Sequence, residues 1–348
     1  MTSAPLVPGP VTVRVPAKVN LELLVGPPRD DGYHALSTVF HAVSLYDDVT
    51  VAVADEWGVN VSGPLAQGVP EDGDNLAMRA ARLLEGRFQG DPVHISIRKG
   101  IPVSGGMAGG SADAAATLVA LDHLWELDLD PVHITIRKGI PVSGGMAGGS
   151  ADAAAALVAL DELWDLGLDR EELEELGGEL GSDVPFLVAG GTAVGSGRGE
   201  LLAPVLARGS YHWVFALADG GLSTPAVYAE CDRLRGGAEV PDPVATPALM
   251  SALRTGDPRE LAPQLANDLQ DAALSLRPDL AEVLAAGMEY GALGGIVSGS
   301  GPTTAFLVED NESGIDLAVA LTASGVVRDV RRASGPVHGA HVIHHRID

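Results

Sequence analysis

Apolar and polar residues alternate through the first sixty positions. Val11-Thr-Val-Arg-Val, Leu21-Glu-Leu-Leu-Val and Val49-Thr-Val-Ala-Val-Ala have the two-residue period or β-branched content of strands, and Gly26-Pro-Pro and Asp30-Asp-Gly punctuate them as turns. From Asn75 the apolar period becomes helical, which predicts a helix over 76–88 with Asn75 as its N-cap. A strand at 93–97, a glycine loop and a helix over 112–125 come next, and the unit returns as a strand at 132–136, a second loop and a helix over 151–164. Asp169-Arg-Glu-Glu-Leu opens another helix, its first-turn acids favourable to the dipole. Beyond a glycine-rich zone at 190–199 the pattern predicts a strand at 213–218 and helices at 224–235, 246–254, 261–274 and 278–289. Strands at 295–298 and 303–308, a helix near 314–323 and a strand at 341–347 complete it. The expected class is α+β, with mixed sheets and helices in two lobes divided as 1–200 and 201–348.

The returning unit is a tandem repeat. Pro92–Asp130 and Pro131–Asp169 are offset by 39 residues and differ at five positions, Ser96/Thr135, Thr117/Ala156, His123/Glu162, Glu126/Asp165 and Asp128/Gly167. Either copy can close the chain. The second leads directly toward Asp183, and Gly167 ends its helix where the first copy has Asp128, a residue that pays more for left-handed geometry. The second copy is therefore expected to hold the working loop. The first would then be an excursion whose apolar helix face (Leu118, Leu121, Leu124, Trp125) needs cover.

Composition narrows the function classes. With 22 Lys+Arg against 47 Asp+Glu, the net charge of −25 argues against nucleic acid or an anionic membrane as the main partner. A local nest of amides with one or two lysines still suits a small anion. One cysteine, Cys231, excludes an internal disulfide and suits a reducing cytoplasm. The N-terminus has no signal-peptide pattern, and no window is a membrane span. The C-terminal His338, His341, His344 and His345 lack an acid or cysteine to complete a metal set, so no metal held by them is expected.

The repeated loop carries the chemistry. Pro141, Val142, Ser143, Gly144, Gly145, Met146, Ala147, Gly148, Gly149, Ser150 and Ala151 run straight into an alanine-rich helix. Glycines let backbone amides approach an anion, and the helix start adds unpaired N–H groups and the positive dipole end. Gly105, Gly106, Gly109, Gly110 and Ser111 are the equivalent positions of the first copy. The loop lacks the Gly-Lys-Ser/Thr ending of a P-loop and the Rossmann fingerprint. Ser150 is placed to cap the helix or touch a phosphate or Mg²⁺.

Pro16-Ala-Lys-Val-Asn-Leu, the Gly-Gly-Met-Ala-Gly-Gly-Ser loop and Ser298-Gly-Ser-Gly-Pro-Thr resemble the three motifs of the GHMP small-molecule kinases. Asp31-Gly-Tyr-His-Ala-Leu and Gly181-Ser-Asp-Val-Pro-Phe resemble the branch acting on a cytidine-diphosphate-linked methylerythritol in non-mevalonate isoprenoid synthesis. The resemblance covers nearly the whole chain once one repeat copy is set aside. It implies a two-lobed fold with ATP, together with Mg²⁺, between the lobes at the glycine loop. The γ-phosphoryl group would pass to the substrate's tertiary 2-hydroxyl. Asp183 would accept the hydroxyl proton, and Lys18 would hold Asp183 ionised and stabilise the developing charge. Asn20, Tyr33 and His34 match substrate positions, and a Tyr beside a His suits a flat pyrimidine. Ser298–Thr303 would form a second backbone wall. The expected protein is cytoplasmic, a monomer or weak homodimer, and takes neither nucleic acid nor membrane as partner. A homoserine- or mevalonate-type acceptor, or a nucleotide-binding scaffold inactivated by the duplication, are the competing expectations.

Overall fold

Two long antiparallel strands, β1 (Val11–Pro28) and β2 (His34–Val53), form the spine of the computed structural model. The residues described are 10–30, 32–53, 59–62, 94–96, 132–137, 139–140, 145–164, 167–327 and 329–343. The two strands expected at 11–15 and 21–25 are one. Register shifts at Pro16/Ala17 and Asn20/Glu22 carry β1 past Pro16, which has no N–H to donate to a regular ladder.

The first lobe continues with β3 (Val59–Ser62), β4 (His94–Ser96), β5 (Val132–Arg137), α1 (Gly148–Trp164), α2 (Arg170–Leu180), α3 (Val184–Ala189), β6 (Thr192–Ser196) and β7 (Leu201–Pro204). β5 and β6 each pair antiparallel with β2 at different heights, and β7 pairs with β6. Helix α1 belongs to the second repeat copy. Ala151, Ala153, Ala154, Ala155, Ala156 and Ala159 are all buried, and side chains this small let the helix lie close against β1 and β2. Gly167, beyond its end, has φ +67°. Of the first copy, His94–Ser96 are described, and they pair parallel with the second copy so that each residue meets its own counterpart: His94 with His133, Ile95 with Ile134, Ser96 with Thr135. β3 also runs parallel to β5, registered on Ile134–Arg137.

The second lobe contains β8 (Tyr211–Leu217), α4 (Thr224–Arg235), α5 (Pro247–Thr255), α6 (Pro258–Leu261), β9 (Ala266–Asn267), α7 (Gln270–Leu276) and α8 (Asp279–Glu289). It ends with β10 (Gly294–Val297), β11 (Thr304–Val308), α9 (Asn311–Ser324), β12 (Asp329–Gly335) and β13 (His341–Val342). β10, β11, β8 and β12 form an antiparallel sheet in that order. β9 and β13 return to β1, parallel and antiparallel respectively.

The structure corrects two further expectations. The single helix at 261–274 is broken into α6, a 3-10 turn at Ala262–Gln264, β9 and α7. Pro263 cannot donate within a helix, and Asn267 spends its amide on the carbonyls of Val297 and Gly299, at 2.8 Å each. The glycine-rich zone at 190–199 contains β6. Gly195 is required there, since a Cβ would lie 2.6 Å from the Phe40 ring. Residues 344–347 of the predicted terminal strand lie outside the described residues, and β13 covers two positions. The helices predicted over 76–88 and 112–125, with the apolar face at Leu118, Leu121, Leu124 and Trp125, also fall outside them.

The lobes join through polar as well as apolar contacts. Ser334 N donates to Ser44 Oγ at 2.9 Å, and the ring of His41, fully buried, lies edge-on 5.6 Å from that of Tyr211. Burial pushes the His41 imidazole down to about 4, so it is neutral in this core. Among the described residues no helix is long and apolar enough to cross a membrane.

Candidate active site

Period-two alternation puts Ala17 and Val19 on one face of β1 and Lys18 and Asn20 on the other, and the register shift between Asn20 and Glu22 turns Glu22 away from the Lys18 face. Both sets are buried. The polar set is therefore enclosed, and its partners are specific. Glu22 accepts from Thr246 N at 3.0 Å and from Thr246 Oγ1 at 2.7 Å. Lys18 Nζ donates to Asn20 Oδ1 at 2.8 Å, stands 3.7 Å from Asp183 Oδ2 and lies 5.3 Å from the Phe40 ring centroid.

Thr38 orients this group. Its Oγ1 donates to Glu22 O at 2.9 Å, which leaves only lone pairs to receive Asn20 Nδ2 at 2.7 Å. Asn20 must then turn its carbonyl oxygen toward the lysine. Burial lowers the Lys18 pKa below the ordinary lysine value, and the Asp183 carboxylate pulls it part of the way back. Asp183 is the N-cap residue of α3, between Gly181 and Pro185, so a sharp turn presents it to β1.

The described part of the glycine loop, Gly145–Ala151, crosses above this group. Lys18 N donates to Met146 O at 3.2 Å. Gly145 has φ +77°, and a Cβ there would fall 1.6 Å from Ser298 O, so glycine is demanded by both backbone and space. Ser298 Oγ donates to Gly145 O at 2.9 Å, which brings the loop against Ser298–Thr303. That second wall is held within its own lobe by Asn267 and by a 2.9 Å contact between Thr224 Oγ1 and Ser300 Oγ. At the neck of the loop, the buried Asp47 Oδ1 accepts from Ile140 N at 2.8 Å and also from Gly139 N. Ser150 Oγ, in the first turn of α1, is buried with no hydrogen-bond partner among the described residues. A buried hydroxyl in the first turn of a helix, at the positive end of its dipole, fits a phosphate oxygen or a Mg²⁺ ion.

A second cavity, of about 630 Å³, opens beside the first and is lined by Tyr33, His34, Glu179, Arg198, Tyr228 and Asp232 among others. His34 Nε2 is 3.0 Å from Asp232 Oδ1, and its ring lies 5.1 Å from that of Tyr228. Burial first, then the charge of Asp183, push the Tyr228 phenol well above its ordinary pKa, so it stays neutral. The cavity around Lys18 and Asp183, about 340 Å³, shares Leu36, Ser182, Arg198, Thr224, Pro225 and Tyr228 with it, making one continuous cleft.

Of the residues singled out from the sequence, the structure gathers Lys18, Asn20, Asp183, Gly145 and Ala147 around one cavity and Tyr33 and His34 around the other. Pro141, Val142, Ser143 and Gly144 lie outside the described residues, as do Gly105, Gly106, Gly109, Gly110 and Ser111. His338 forms a bridge to Gly190 and His341 Nδ1 meets Gly339 O at 2.8 Å, away from the cleft, while 344–345 are not described. Sequence reasoning missed Thr38, Asp47, Arg198, Tyr228 and Asp232. Thr38 and Asp47 read as ordinary strand positions, and Tyr228 and Asp232 as one turn of an amphipathic helix. The Gly197-Arg-Gly199 step was the one available signal, a cation on a tight turn.

The chain matches the description GHMP kinases N terminal domain twice, over residues 75–132 and 130–191, and GHMP kinases C terminal over 249–327. It belongs to the GHMP kinases and is an ATP-dependent small-molecule kinase. Among its relatives is the 4-diphosphocytidyl-2-C-methyl-D-erythritol kinase of Mycolicibacterium smegmatis, 52% identical, with 96% of this chain and 93% of the relative covered. That of Rhodococcus jostii is 51% identical, covering 97% and 96% respectively. A solved 4-(cytidine 5'-diphospho)-2C-methyl-D-erythritol kinase superposes with TM-score 0.65 at 30% identity, covering 92% of this chain and 98% of that one. Similarity in the fold alone extends to the L. major mevalonate kinase, with TM-score 0.69 at 16% identity, covering 97% of this chain and 100% of that one.

Proposed function

We propose that this kinase transfers the γ-phosphoryl group of ATP to the 2-hydroxyl of 4-diphosphocytidyl-2-C-methyl-D-erythritol, a step of non-mevalonate isoprenoid synthesis in the cytoplasm. The observation that carries the reading is the single cleft, with Lys18 and Asp183 at one end and an aromatic cavity at the other. Two curated relatives at 52% and 51% identity bear the name of that activity.

The substrate oxygen attacks the γ-phosphorus, the bond to the β–γ bridging oxygen breaks, and ADP leaves. Asp183 accepts the hydroxyl proton. A loose transition state needs the proton removed only late, which a weak base suffices to do. Lys18, kept cationic between Asn20 and Asp183, stabilises charge on the oxygens in transfer. Gly145–Ala151 and the start of α1 cradle the ATP phosphates with backbone amides. Ser150 and a phosphate oxygen would hold Mg²⁺, which supplies charge neutralisation when bound. In the second cavity the base lies against Tyr228 and His34, with Tyr33 over its exposed edge. The second repeat copy supplies the loop used.

The test is ADP release by the full-length protein with Mg-ATP and the cytidylyl acceptor. Turnover that drops about a hundredfold or more in Asp183→Asn is the expected result. A folded sample that releases ADP only with homoserine or mevalonate, or with no acceptor, overturns the proposal.

A further inference from the structure

Six side chains wall both cavities of the cleft, and five of them, Leu36, Ser182, Thr224, Pro225 and Tyr228, are neutral. The sixth is Arg198. It sits on the turn joining β6 and β7, between Gly197 (φ +75°) and Gly199 (φ +110°). The backbone of that turn is tied down. Leu36 N donates to Gly197 O at 2.9 Å, Gly199 N donates to Ser196 O at 3.0 Å, and Arg198 N donates to Glu200 Oε2 at 2.6 Å. The guanidinium is less committed. Its carbon lies 5.4 Å from the Tyr33 ring centroid, and Nε stands 3.8 Å from Glu200 Oε1, beyond hydrogen-bond length.

Around it the charges are negative. Glu179 and Asp232 line the aromatic cavity, Asp183 lies in the other, and the chain as a whole carries −25. Any anion in the middle of this cleft would be repelled unless a cation met it there. Lys18 is engaged at the far end with Asn20 and Asp183. A ligand with a flat ring at one end and a reacting hydroxyl at the other must pass Arg198 between the two.

We infer that Arg198 is a specificity-determining residue that binds the diphosphate linker of a nucleoside-diphosphate ester, using guanidinium N–H groups that Glu200 and Tyr33 leave available. This rests on the reading that the acceptor occupies both cavities. Planar, multiply donating guanidinium matches phosphate oxygens better than an ammonium does. Glu200 then acts as the counter-charge that holds Arg198 in place while the cleft is empty.

Calorimetric titration of the full-length protein tests this, with the ATP site filled by a non-hydrolysable analogue and CDP and cytidine as the probes. Wild type is expected to bind CDP at least about tenfold more tightly than cytidine, the scale of a charge-assisted hydrogen bond. Arg198→Gln should erase most of that ratio by weakening CDP while leaving cytidine affinity and the KM for ATP unchanged, and Arg198→Lys should keep part of it. Equal weakening of CDP and cytidine would show that Arg198 merely props Tyr33 and would overturn the inference, as would unchanged CDP binding. The readout does not need turnover. A chain that fails to phosphorylate the cytidylyl acceptor but loses its CDP preference in Arg198→Gln would sink the proposed reaction and keep the diphosphate site.

Discussion

The two ends of the cleft are built in opposite ways. At the Lys18 end the side chains of Lys18, Asn20 and Thr38 come from β1 and β2, are almost fully buried and form a chain of hydrogen bonds from Lys18 through Asn20 and Thr38 to Glu22 O. At the aromatic end they come from the turn after β1 and from helix α4, Tyr33 is 56% exposed, and the His34–Asp232 contact is half open to solvent. Buried polar groups cost several kcal/mol when left unpaired, so the Lys18 end can exist only fully arranged. The aromatic end tolerates misplacement because water replaces lost contacts. On the proposed function, transition-state charge would be met where the protein is rigid, and the base read where it can adapt.

Three substitutions probe that contrast. The largest effect is expected from Lys18→Met, a drop in kcat of about a hundred- to a thousandfold with little change in the KM of either substrate, measured by steady-state ADP release. A large rise in KM with kcat intact would mean that Lys18 serves binding alone. Thr38→Val comes next. Without a hydroxyl to fix it, Asn20 loses its orientation, and kcat should fall about tenfold while Thr38→Ser restores it. If serine fails to rescue, the methyl group rather than the hydroxyl matters. Smallest is Tyr228→Leu, expected to raise the KM for the cytidylyl acceptor a few-fold to about tenfold without altering that for ATP. An equal loss in kcat would erase the distinction between the two ends, because Tyr228 would then belong to the transfer chemistry.

Much of this was legible in the order of residues. The strand period around Lys18 already put it on the same side as Asn20, and the glycine spacing before an alanine-rich helix already spelled an anion cradle. The motif at Gly181-Ser-Asp marked Asp183. Legibility failed where a residue's importance comes from a partner distant in sequence. Thr38 matters through Asn20 and Glu22, and Asp47 through Gly139 and Ile140, more than ninety residues on. The helix expected over 261–274 failed for a related reason. Its local pattern is helical, but Asn267 gains two buried carbonyl partners by leaving the helix.

The repeat shows the same division. Two nearly identical segments have nearly identical local preferences, so sequence alone predicts the same strand, loop and helix for each. Which segment lies beside β2 is a different matter, because β2 offers one edge there and can pair with one strand. The structure places Val132–Arg137 on that edge, with His94–Ser96 in register outside it. Local chain chemistry determined the elements and the kinds of groups in the cleft. Their pairing, the orientation of Asn20 and the meeting of Arg198 with both cavities were decided by tertiary structure, since each depends on a contact that no sequence-local interaction specifies.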